Sequence, residues 1–191
     1  MNFRVLVPHI THGLSKHHEL YTGKVKAEQW EEIFALALKA AGFGSDWKGD
    51  NNHRVGVDQT TDCGVRISNK SGSIKKQNKI NLSGSRLTKH KTLEEKLKFL
   101  SIKNEDYIVC LATDASWKKG HKKYYFIVID SNNLNYPDMI WEDTLSKDKM
   151  RVTGHKGIGK GCEAIITKAT SDQLWTTIEP CLFKENHVIV I

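Results

Sequence analysis

The sequence predicts a mixed α+β domain in which a central mixed sheet is flanked by helices. Three observations support this prediction: an amphipathic helix in the first quarter of the chain, a hairpin directly after it, and two strongly apolar runs of strand length in the middle. The resulting order of helix, strands, helix and strands is typical of a sheet covered by helices. A chain of 191 residues is predicted to fold as one domain, residues 1–191.

The first predicted helix runs from Lys26 to Phe43. Apolar residues recur there at spacings of three and four, and Gly42 and Gly44 supply the stop. At about 100° per residue, Glu31 falls on the edge of the apolar arc. Glu31 is therefore expected to turn partly toward the protein interior.

The predicted hairpin is the segment GVDQTTDCGVRISNKSG. Asp58 ends its first apolar run and Lys70 ends the second, with a glycine-containing turn between them. Side chains alternate along a strand, so Ser68 and Lys70 are expected on one face while Asn69 points away. The hairpin thus predicts that an acid and a lysine lie side by side.

The remaining elements follow from similar patterns. Thr92 and Glu95 have the spacing of a capping box, which predicts a second helix over TLEEKLKFL. The runs DYIVCLATD and KKYYFIVIDSN predict a pair of core strands. Weaker patterns predict a short run at KINLSGSR, strands near 150–153 and 163–168, a short helix from Ser171, and a final strand at HVIVI.

Positive charge is concentrated in one part of the chain. The net charge is +7, and the segment from Cys63 to Leu93 has eight Lys or Arg residues and no Asp or Glu. Such one-sided charge suits a phosphate backbone, although solvated loops would also explain it. The candidate DNA-binding residues are Lys75, Lys76, Lys79, Ser83, Ser85, Arg86, Lys89, Lys156 and Lys160.

Two segments in that set have alternative interpretations. The hydroxyls and cations of SGSRLTKHK could cradle phosphates, or Ser83 and Ser85 could end a strand while Arg86 pairs with Glu94 or Glu95. The glycine-rich HKGIGKG could form a basic hairpin that enters a DNA groove, or a solvated turn. It lacks the spacing of a nucleotide-binding loop.

Several classes of protein are disfavoured by the sequence. No apolar run approaches the roughly 18 residues of a membrane span, and the first residues lack the pattern of a signal peptide, so no membrane partner and a cytoplasmic location are expected. The four cysteines lack zinc-site spacing, and His9, His12, His17 and His18 are expected to be solvated loop residues. GxSxG, HExxH and GxGxxG patterns are absent.

The hairpin carries the most specific chemistry. Cleavage of a phosphodiester requires stabilisation of added negative charge and an activated water, which carboxylate-held Mg²⁺ and a nearby ammonium can supply. Asp58 would hold the metal, with the Asn69 carbonyl and, if its helix packs over the site, Glu31 as further oxygen ligands. Lys70 would orient or deprotonate the attacking water, and the Ser68 hydroxyl could orient a metal-bound water.

These residues resemble the PD-(D/E)xK nuclease superfamily, in particular its type II restriction endonucleases. The resemblance covers Lys26 to Ser131. It matches Asp58 with the metal-binding aspartate and Lys70 with the lysine, whereas the acid two positions earlier is replaced by Ser68. Glu31 would supply the replacement acid.

The resemblance implies Mg²⁺-dependent, sequence-specific cleavage of double-stranded DNA that leaves 5′-phosphates, performed by a homodimer. Its restriction-endonuclease-like core would span about 26–131, and residues 132–191 would add elements for DNA recognition and dimerisation. Pro137–Asp138 and Asp46–Lys48 are weaker matches to the motif.

Three other readings stay open. Asp58 could merely cap a turn while Lys70 is a surface residue of an edge strand. The segment from Arg66 to Lys91 could be the platform of a non-catalytic DNA- or RNA-binding protein. A structure-specific repair nuclease would share the chemistry and differ in substrate.

Overall fold

Ten strands form one mixed sheet in the part of the chain that the computed structural model describes, residues 1–48, 56–102, 104–119, 122–146, 149–155, 161–167 and 172–191. The helices are α1 Val7–Leu20, α2 Ala27–Ala40 and α3 Leu93–Ser101. The strands are β1 Gln59–Thr60, β2 Arg66–Ile74, β3 Ile80–Arg86, β4 Tyr107–Thr113, β5 Lys123–Asp130, β6 Ile140–Ser146, β7 Lys149–His155, β8 Cys162–Thr167, β9 Gln173–Ile178 and β10 Phe183–Val190.

The sheet order is β10-β5-β4-β2-β3-β9-β8-β7-β6, and the short β1 pairs with β2. Strand β2 is parallel to β4 and antiparallel to β1 and β3. The prediction of a mixed α+β fold with a large central mixed sheet flanked by helices is therefore confirmed. The predicted hairpin, both predicted helices, the β4–β5 pair and the final strand are all present.

The ends of α2 and α3 follow from local chemistry. Gly42, just beyond α2, has φ +80°, the left-handed conformation in which helices commonly end. At the start of α3, the Thr92 hydroxyl accepts the Glu95 N–H at 3.1 Å. The Glu95 carboxylate in turn accepts the Thr92 N–H at 3.3 Å, which completes the capping box.

The amino-terminal segment differs from the sequence prediction. It forms a 3-10 turn, Phe3–Leu6, followed by α1, and Pro8 lies in the first turn of α1. Proline is tolerated there because the first helical N–H groups have no partner within the helix. The four histidines His9, His12, His17 and His18 therefore all lie on α1 rather than in a loop, and His17 is buried.

The segment after residue 172 is also corrected by the structure. The sequence predicted a short helix from Ser171, whereas Gln173–Ile178 is strand β9. Leu174, Thr176 and Ile178 are buried there while Trp175 is 38% exposed, which is the alternation of a strand. Strand β6, Ile140–Ser146, was not predicted.

Each face of the sheet carries its own apolar core. Along β4, Val109 and Leu111 belong to a cluster with α1 and α2, whereas Ile108, Cys110 and Ala112 belong to a cluster with α3. Because β4 is buried on both faces, its sequence is a continuous apolar run rather than an alternating one. Among the helices described, none is both long and apolar enough to cross a membrane.

An ion pair fixes the parallel register of β2 and β4. Asp106, just before β4, accepts the backbone N–H of Arg66 at 2.8 Å and the Arg66 Nη2 at 2.8 Å. The backbone N–H of Asp106 donates to the Arg66 carbonyl at 2.8 Å. The Arg66 guanidinium lowers the pKa of the Asp106 carboxyl. This pairing holds the first residues of β2 beside the start of β4.

Substitution of Gly72 by alanine is expected to destabilise the fold by about 1–3 kcal/mol. A Cβ at this position of β2 would lie 2.8 Å from the Cys110 Sγ and 2.9 Å from the Leu82 Cδ2, and both neighbours are buried. Chemical denaturation measures the effect. Gly23→Ala is the matched control, since a Cβ there meets no atom within 4 Å and stability should be unchanged or slightly higher. Equal stability of the two variants would contradict the close packing of β2.

Asp114→Asn is expected to destabilise the protein at neutral pH but not in acid. The Ser116 and Tyr125 hydroxyls donate to the Asp114 carboxylate and lower its pKa to about 2 from an ordinary 3.8. Because the folded-state pKa is depressed, this stabilisation is present above about pH 4 and is lost as the pH falls toward 2. Thermal unfolding of wild type and Asp114→Asn is compared between pH 7 and pH 2. The difference between their melting temperatures should shrink as the pH falls, whereas a difference that is the same at every pH would contradict this role of Asp114.

Candidate metal and phosphate site

A break in strand pairing creates the candidate site along one edge of β2. β4 covers the opposite edge, from Ile67 to Ser73. On the edge of interest, β1 pairs with Arg66 and Ile67 and β3 pairs from Gly72 to Ile74. Residues 68–71 therefore lie between the two neighbouring strands, where backbone groups of β2 can meet side chains instead of another strand.

Asp58 fills this break with its carboxylate. It comes just before β1, and its backbone N–H donates to the Ile67 carbonyl at 2.9 Å. Its Oδ2 accepts the Asn69 N–H at 2.6 Å and the Ser68 hydroxyl at 3.2 Å, and lies 3.4 Å from the Lys70 Nζ. The hairpin thus brings together Asp58, Ser68, Asn69 and Lys70, as the sequence predicted.

Lys70 contacts two oxygens at once. Its Nζ lies 3.0 Å from the Asn69 carbonyl oxygen and 3.4 Å from the Asp58 Oδ2. The side chains of Lys70 and Asp58 are 24% and 22% exposed, so the pair is only partly screened by solvent. An ammonium group thus lies between a carboxylate and a carbonyl at a partly exposed edge of the sheet.

The same two oxygens suit a hard divalent cation. Carboxylate and backbone carbonyl oxygens are ligands that Mg²⁺ accepts in proteins. The three contacts to Asp58 all fall on Oδ2 and leave its second oxygen unused by this cluster. The Lys70 ammonium contacts both of these oxygens. The Asp58 carboxylate and the Asn69 carbonyl are therefore the residues that would hold Mg²⁺ here if the ammonium moved away.

Ser68 is fully buried, and its hydroxyl donates to Asp58. The Asn69 N–H, at the edge of β2, donates a second hydrogen bond to the same carboxylate oxygen of Asp58. Such donors fix the orientation of a ligating carboxylate. The geometry therefore makes Ser68 a positioning residue for Asp58.

Glu31 is tied to the site through its backbone. The side-chain amide of the buried Gln59 donates to the Glu31 carbonyl at 2.8 Å and accepts the Ser45 hydroxyl at 3.1 Å. Gln59 directly follows Asp58, so this bond holds one turn of α2 beside the end of the candidate site. Within the described ranges, no group of three or more His, Cys, Asp or Glu side chains is placed to share a metal.

Gln59 was not singled out from the sequence. A fully buried glutamine is rare unless both ends of its amide are bonded, as they are here. The sequence feature that could have identified Gln59 is its position, since it is a polar residue at the first strand position after Asp58.

The predicted DNA-binding residues that the structure describes lie in the β2–β3 turn, on β3 and just beyond β3. Lys75 and Lys76 are exposed at the β2–β3 turn, where Gln77 and Asn78 have φ of 60° and 58°. Lys79 forms an ion pair with Glu179 at 2.8 Å. Ser83, Ser85 and Arg86 lie on β3, Lys89 is exposed just beyond it, and Lys156 and Lys160 lie outside the described residues.

For the segment SGSRLTKHK, the structure favours the alternative in which Ser83 and Ser85 belong to a strand over the alternative of a phosphate-binding loop. Gly84 lies within β3, where a Cβ would approach Leu174 to 3.0 Å, so close packing rather than a turn explains the glycine. The Glu95 carboxylate bonds to the backbone of Lys91 and Thr92. Ser83 pairs across the sheet with Trp175, which is exposed on β9. The sequence had predicted a helix in that segment and so did not place Trp175 beside Ser83.

The weaker motif matches have structural roles. The Asp46 carboxylate accepts the Thr60 N–H at 2.7 Å and so attaches its loop to β1. Pro137 and Asp138 lie in a 3-10 turn, where the Asp138 carboxylate accepts from the Asn135 side chain at 2.5 Å. Neither aspartate lies opposite a lysine-bearing strand as Asp58 does.

No protein-family model matches the chain, and no curated protein matches it significantly.

Proposed function

We propose that this protein is a Mg²⁺-dependent endonuclease that cleaves double-stranded DNA, with a catalytic core like that of type II restriction endonucleases. The observation that carries the proposal is the contact of one ammonium, the Lys70 Nζ, with both the Asp58 carboxylate and the Asn69 carbonyl in the break of β2. A phosphodiester-cleaving site needs a cation-binding carboxylate and a cationic group beside it.

Each residue of the cluster has a separate role. Asp58 and the Asn69 carbonyl would hold Mg²⁺, which supplies a Lewis acid that stabilises charge on the phosphate. Ser68 and the Asn69 N–H orient the Asp58 carboxylate. The Lys70 ammonium moves away from the Asp58 carboxylate when DNA binds. It then binds a phosphate oxygen and orients the attacking water. Glu31 is the proposed second acid, and Gln59 holds its helix in place.

The order of elements supports a restriction-endonuclease-like core. Helix α2, strands β1 to β3, helix α3 and strand β4 follow one another as the resemblance to that family leads us to expect. The aspartate precedes the first of these strands and the lysine lies on the second. Strands β9, β8, β7 and β6 extend the same sheet from β3 outward, whereas β10 pairs with β5 at the opposite edge. The segment after residue 132 is proposed to carry DNA-recognition loops.

Cleavage of both DNA strands is proposed to require a homodimer. Two copies related by a two-fold axis would present one site to each strand of a palindromic sequence. The product would carry 5′-phosphates.

The proposed function is tested by incubating the purified protein with phage or plasmid DNA in Mg²⁺ or in EDTA, followed by electrophoresis. Asp58→Asn protein is the matched control. Discrete bands that require Mg²⁺ and Asp58 would support a sequence-specific endonuclease. A smear with the same requirements would favour a repair or non-specific nuclease.

A non-catalytic DNA- or RNA-binding protein is the second candidate. It is favoured by Ser68, which stands where the resemblance expects a second acid, and by the Asp58–Lys70 ion pair, which is satisfied without a metal. Intact but retarded DNA in the cleavage experiment, equal in Mg²⁺ and EDTA and for both proteins, would favour this candidate over the nuclease.

Replacement of both Lys75 and Lys76 by alanine is expected to weaken DNA binding without sequence preference. These lysines are exposed at the tip of the β2–β3 hairpin, where they can contact phosphates. Removal of two phosphate contacts should lower the slope of log K against log salt by about 2. Filter binding over a salt series measures the slope, with Lys98→Ala on α3 as the control. A slope equal to that of wild type would show that the tip of the β2–β3 hairpin does not contact DNA.

A further inference from the structure

One half of a sheet face has no helix over it in the described part of the chain. The apolar cluster under α1 and α2 takes its strand residues from β2, β4, β5 and β10. Strands β3, β9 and β8 instead contribute every second residue to the cluster on the α3 side, among them Leu82, Leu174 and Ala164. The alternate side chains of these three strands therefore project from the face that α1 and α2 leave uncovered beyond β2.

The part of that face on β3 and β9, formed by Asn81, Ser83, Trp175 and Thr177, is here called the open face. Cross-strand pairing places Asn81 beside Thr177 and Ser83 beside Trp175. Ser83 and Trp175 are exposed, and the other two residues are half-buried. The Thr177 hydroxyl donates to the Asn81 Oδ1 at 3.4 Å, and the Asn81 amide nitrogen can donate to a ligand. The open face thus combines one aromatic ring with hydroxyl and amide groups.

The open face begins at the break in strand pairing. Strand β3 pairs with β2 as far as Leu82, which lies opposite Gly72. Ser83 has left β2 but still pairs with β9, so it lies beside the break that contains the candidate site. Trp175 lies one strand farther out, about 10 Å from the line of β2 at a strand spacing of about 4.8 Å. A nucleotide next to a phosphate in the break can therefore reach this ring.

Positive charge lies at both ends of β3. Lys75 and Lys76 are exposed before the strand, Arg86 is exposed at its end, and Lys89 is exposed just beyond it. The chain from Cys63 to Leu93 has no Asp or Glu. Strand β3 has seven residues and spans about 23 Å. Cations at its two ends can therefore bind phosphates of one extended strand that runs along it.

These features fit a single strand of nucleic acid. Cations bind phosphates without regard to sequence, and an exposed aromatic ring binds the face of a base that is not already stacked. Bases within a duplex are stacked on both faces, so the base must be unpaired. Two acids limit the path of the strand: Glu163 lies on β8 beside Thr177, and Glu179 pairs with Lys79 at 2.8 Å. Repulsion from these carboxylates would keep the phosphates along β3.

We propose that the open face binds a single-stranded segment of nucleic acid, with one unpaired base stacked on the Trp175 indole. The Ser83 hydroxyl and the Asn81 amide hydrogen-bond to the same segment, and the cations at the ends of β3 bind its phosphates. Binding of a single strand does not depend on the proposed function. The position of the stacked base next to the cleaved bond does, and it makes DNA with an unpaired nucleotide at that bond the substrate.

The proposal is tested by fluorescence anisotropy of a labelled oligothymidylate of about 10 nucleotides, a usual site size for single-strand binding. In EDTA, wild type should bind it, Trp175→Ala should bind about tenfold more weakly or worse, and Trp175→Phe should recover most of the affinity because it keeps a ring. Val188→Ala is the matched control, since Val188 is 53% exposed on β10 at the far edge of the sheet. Equal affinity of all four proteins, or no binding by wild type, would overturn the proposal.

An abasic strand of the same length distinguishes stacking from a structural role of Trp175. Wild type should bind the abasic strand about tenfold more weakly than the oligothymidylate, because the stacked base is missing. In Trp175→Ala this preference should fall by about the same factor, since the variant has no ring on which the base can stack. An undiminished preference in Trp175→Ala would contradict stacking on this residue.

The use of EDTA separates this proposal from the proposed function. If Trp175→Ala loses the preference for bases and wild type shows no Mg²⁺-dependent cleavage, the open face binds a single strand and the proposed function is wrong. If wild type cleaves DNA in Mg²⁺ and has the same single-strand affinity as Trp175→Ala, the reverse holds.

Discussion

Asp58→Asn is expected to abolish Mg²⁺-dependent DNA cleavage, with a loss of about a thousandfold or more. The charge that would hold the metal is removed, and a metal contributes several kcal/mol to the stabilisation of a phosphoryl transition state. Asparagine keeps an oxygen that can accept the Asn69 N–H, which Asp58 accepts at 2.6 Å. The substitution should therefore spare the fold, as circular dichroism and thermal unfolding would show.

Asp62→Asn is the matched control for this variant. Asp62 lies in the same hairpin, is exposed, and loses the same charge on substitution. Initial rates of plasmid nicking at fixed Mg²⁺ and salt compare the two variants. Full activity of Asp58→Asn, or equal losses in both variants, would show that Asp58 does not hold the metal.

Lys70→Ala is expected to lower cleavage by about a hundredfold to a thousandfold, the usual effect of removing one group that stabilises transition-state charge. The same variant should not lose affinity for the metal. The Lys70 Nζ contacts the Asp58 Oδ2 and the Asn69 carbonyl, the two oxygens proposed to bind Mg²⁺. Without this competing cation, the affinity for a divalent metal should be equal or higher.

Cleavage rates and Mn²⁺ affinity, measured on the same preparation, distinguish a catalytic lysine from a structural one. Lys98→Ala, on the last turn of α3, controls for loss of one positive charge. If Lys70→Ala lost metal affinity together with activity, the lysine would be needed to build the site rather than to act on the phosphate. If it retained full activity, its proposed role would be wrong.

The sequence predicted the parts of the fold that local chemistry determines. The apolar spacing of α2, the Thr92–Glu95 capping box of α3 and the continuous apolar run of β4 each depend on neighbouring residues. The hairpin of Asp58 and Lys70 belongs to the same group, because a turn of a few residues fixes which side chains meet.

The errors arose where distant contacts decide the conformation. Strand β9 follows from its pairing with β3 and β8, and residues near Ser171 give only a weak local signal. Helix α1 is stabilised by burial of Ile10 and Leu14 against the sheet-side core, while its own sequence is rich in histidine and has one proline. Local propensity is a weak guide when tertiary packing supplies most of the stability.

The candidate site was only partly predictable for a related reason. That Asp58 meets Ser68, Asn69 and Lys70 follows from hairpin geometry, but the break between β1 and β3 that accommodates its carboxylate depends on where β3 leaves β2. The bond from Gln59 to the Glu31 carbonyl depends on how α2 packs against the sheet. Neither is visible in spacing alone.

The most direct measurement is Mn²⁺ binding by electron paramagnetic resonance, because it needs neither the correct DNA sequence nor a completed reaction. Wild-type protein should bind Mn²⁺, Asp58→Asn should bind at least about tenfold more weakly, and Lys70→Ala should bind as tightly or more tightly. Equal Mn²⁺ affinity of wild type and Asp58→Asn would contradict the proposal that Asp58 and the Asn69 carbonyl form a metal site.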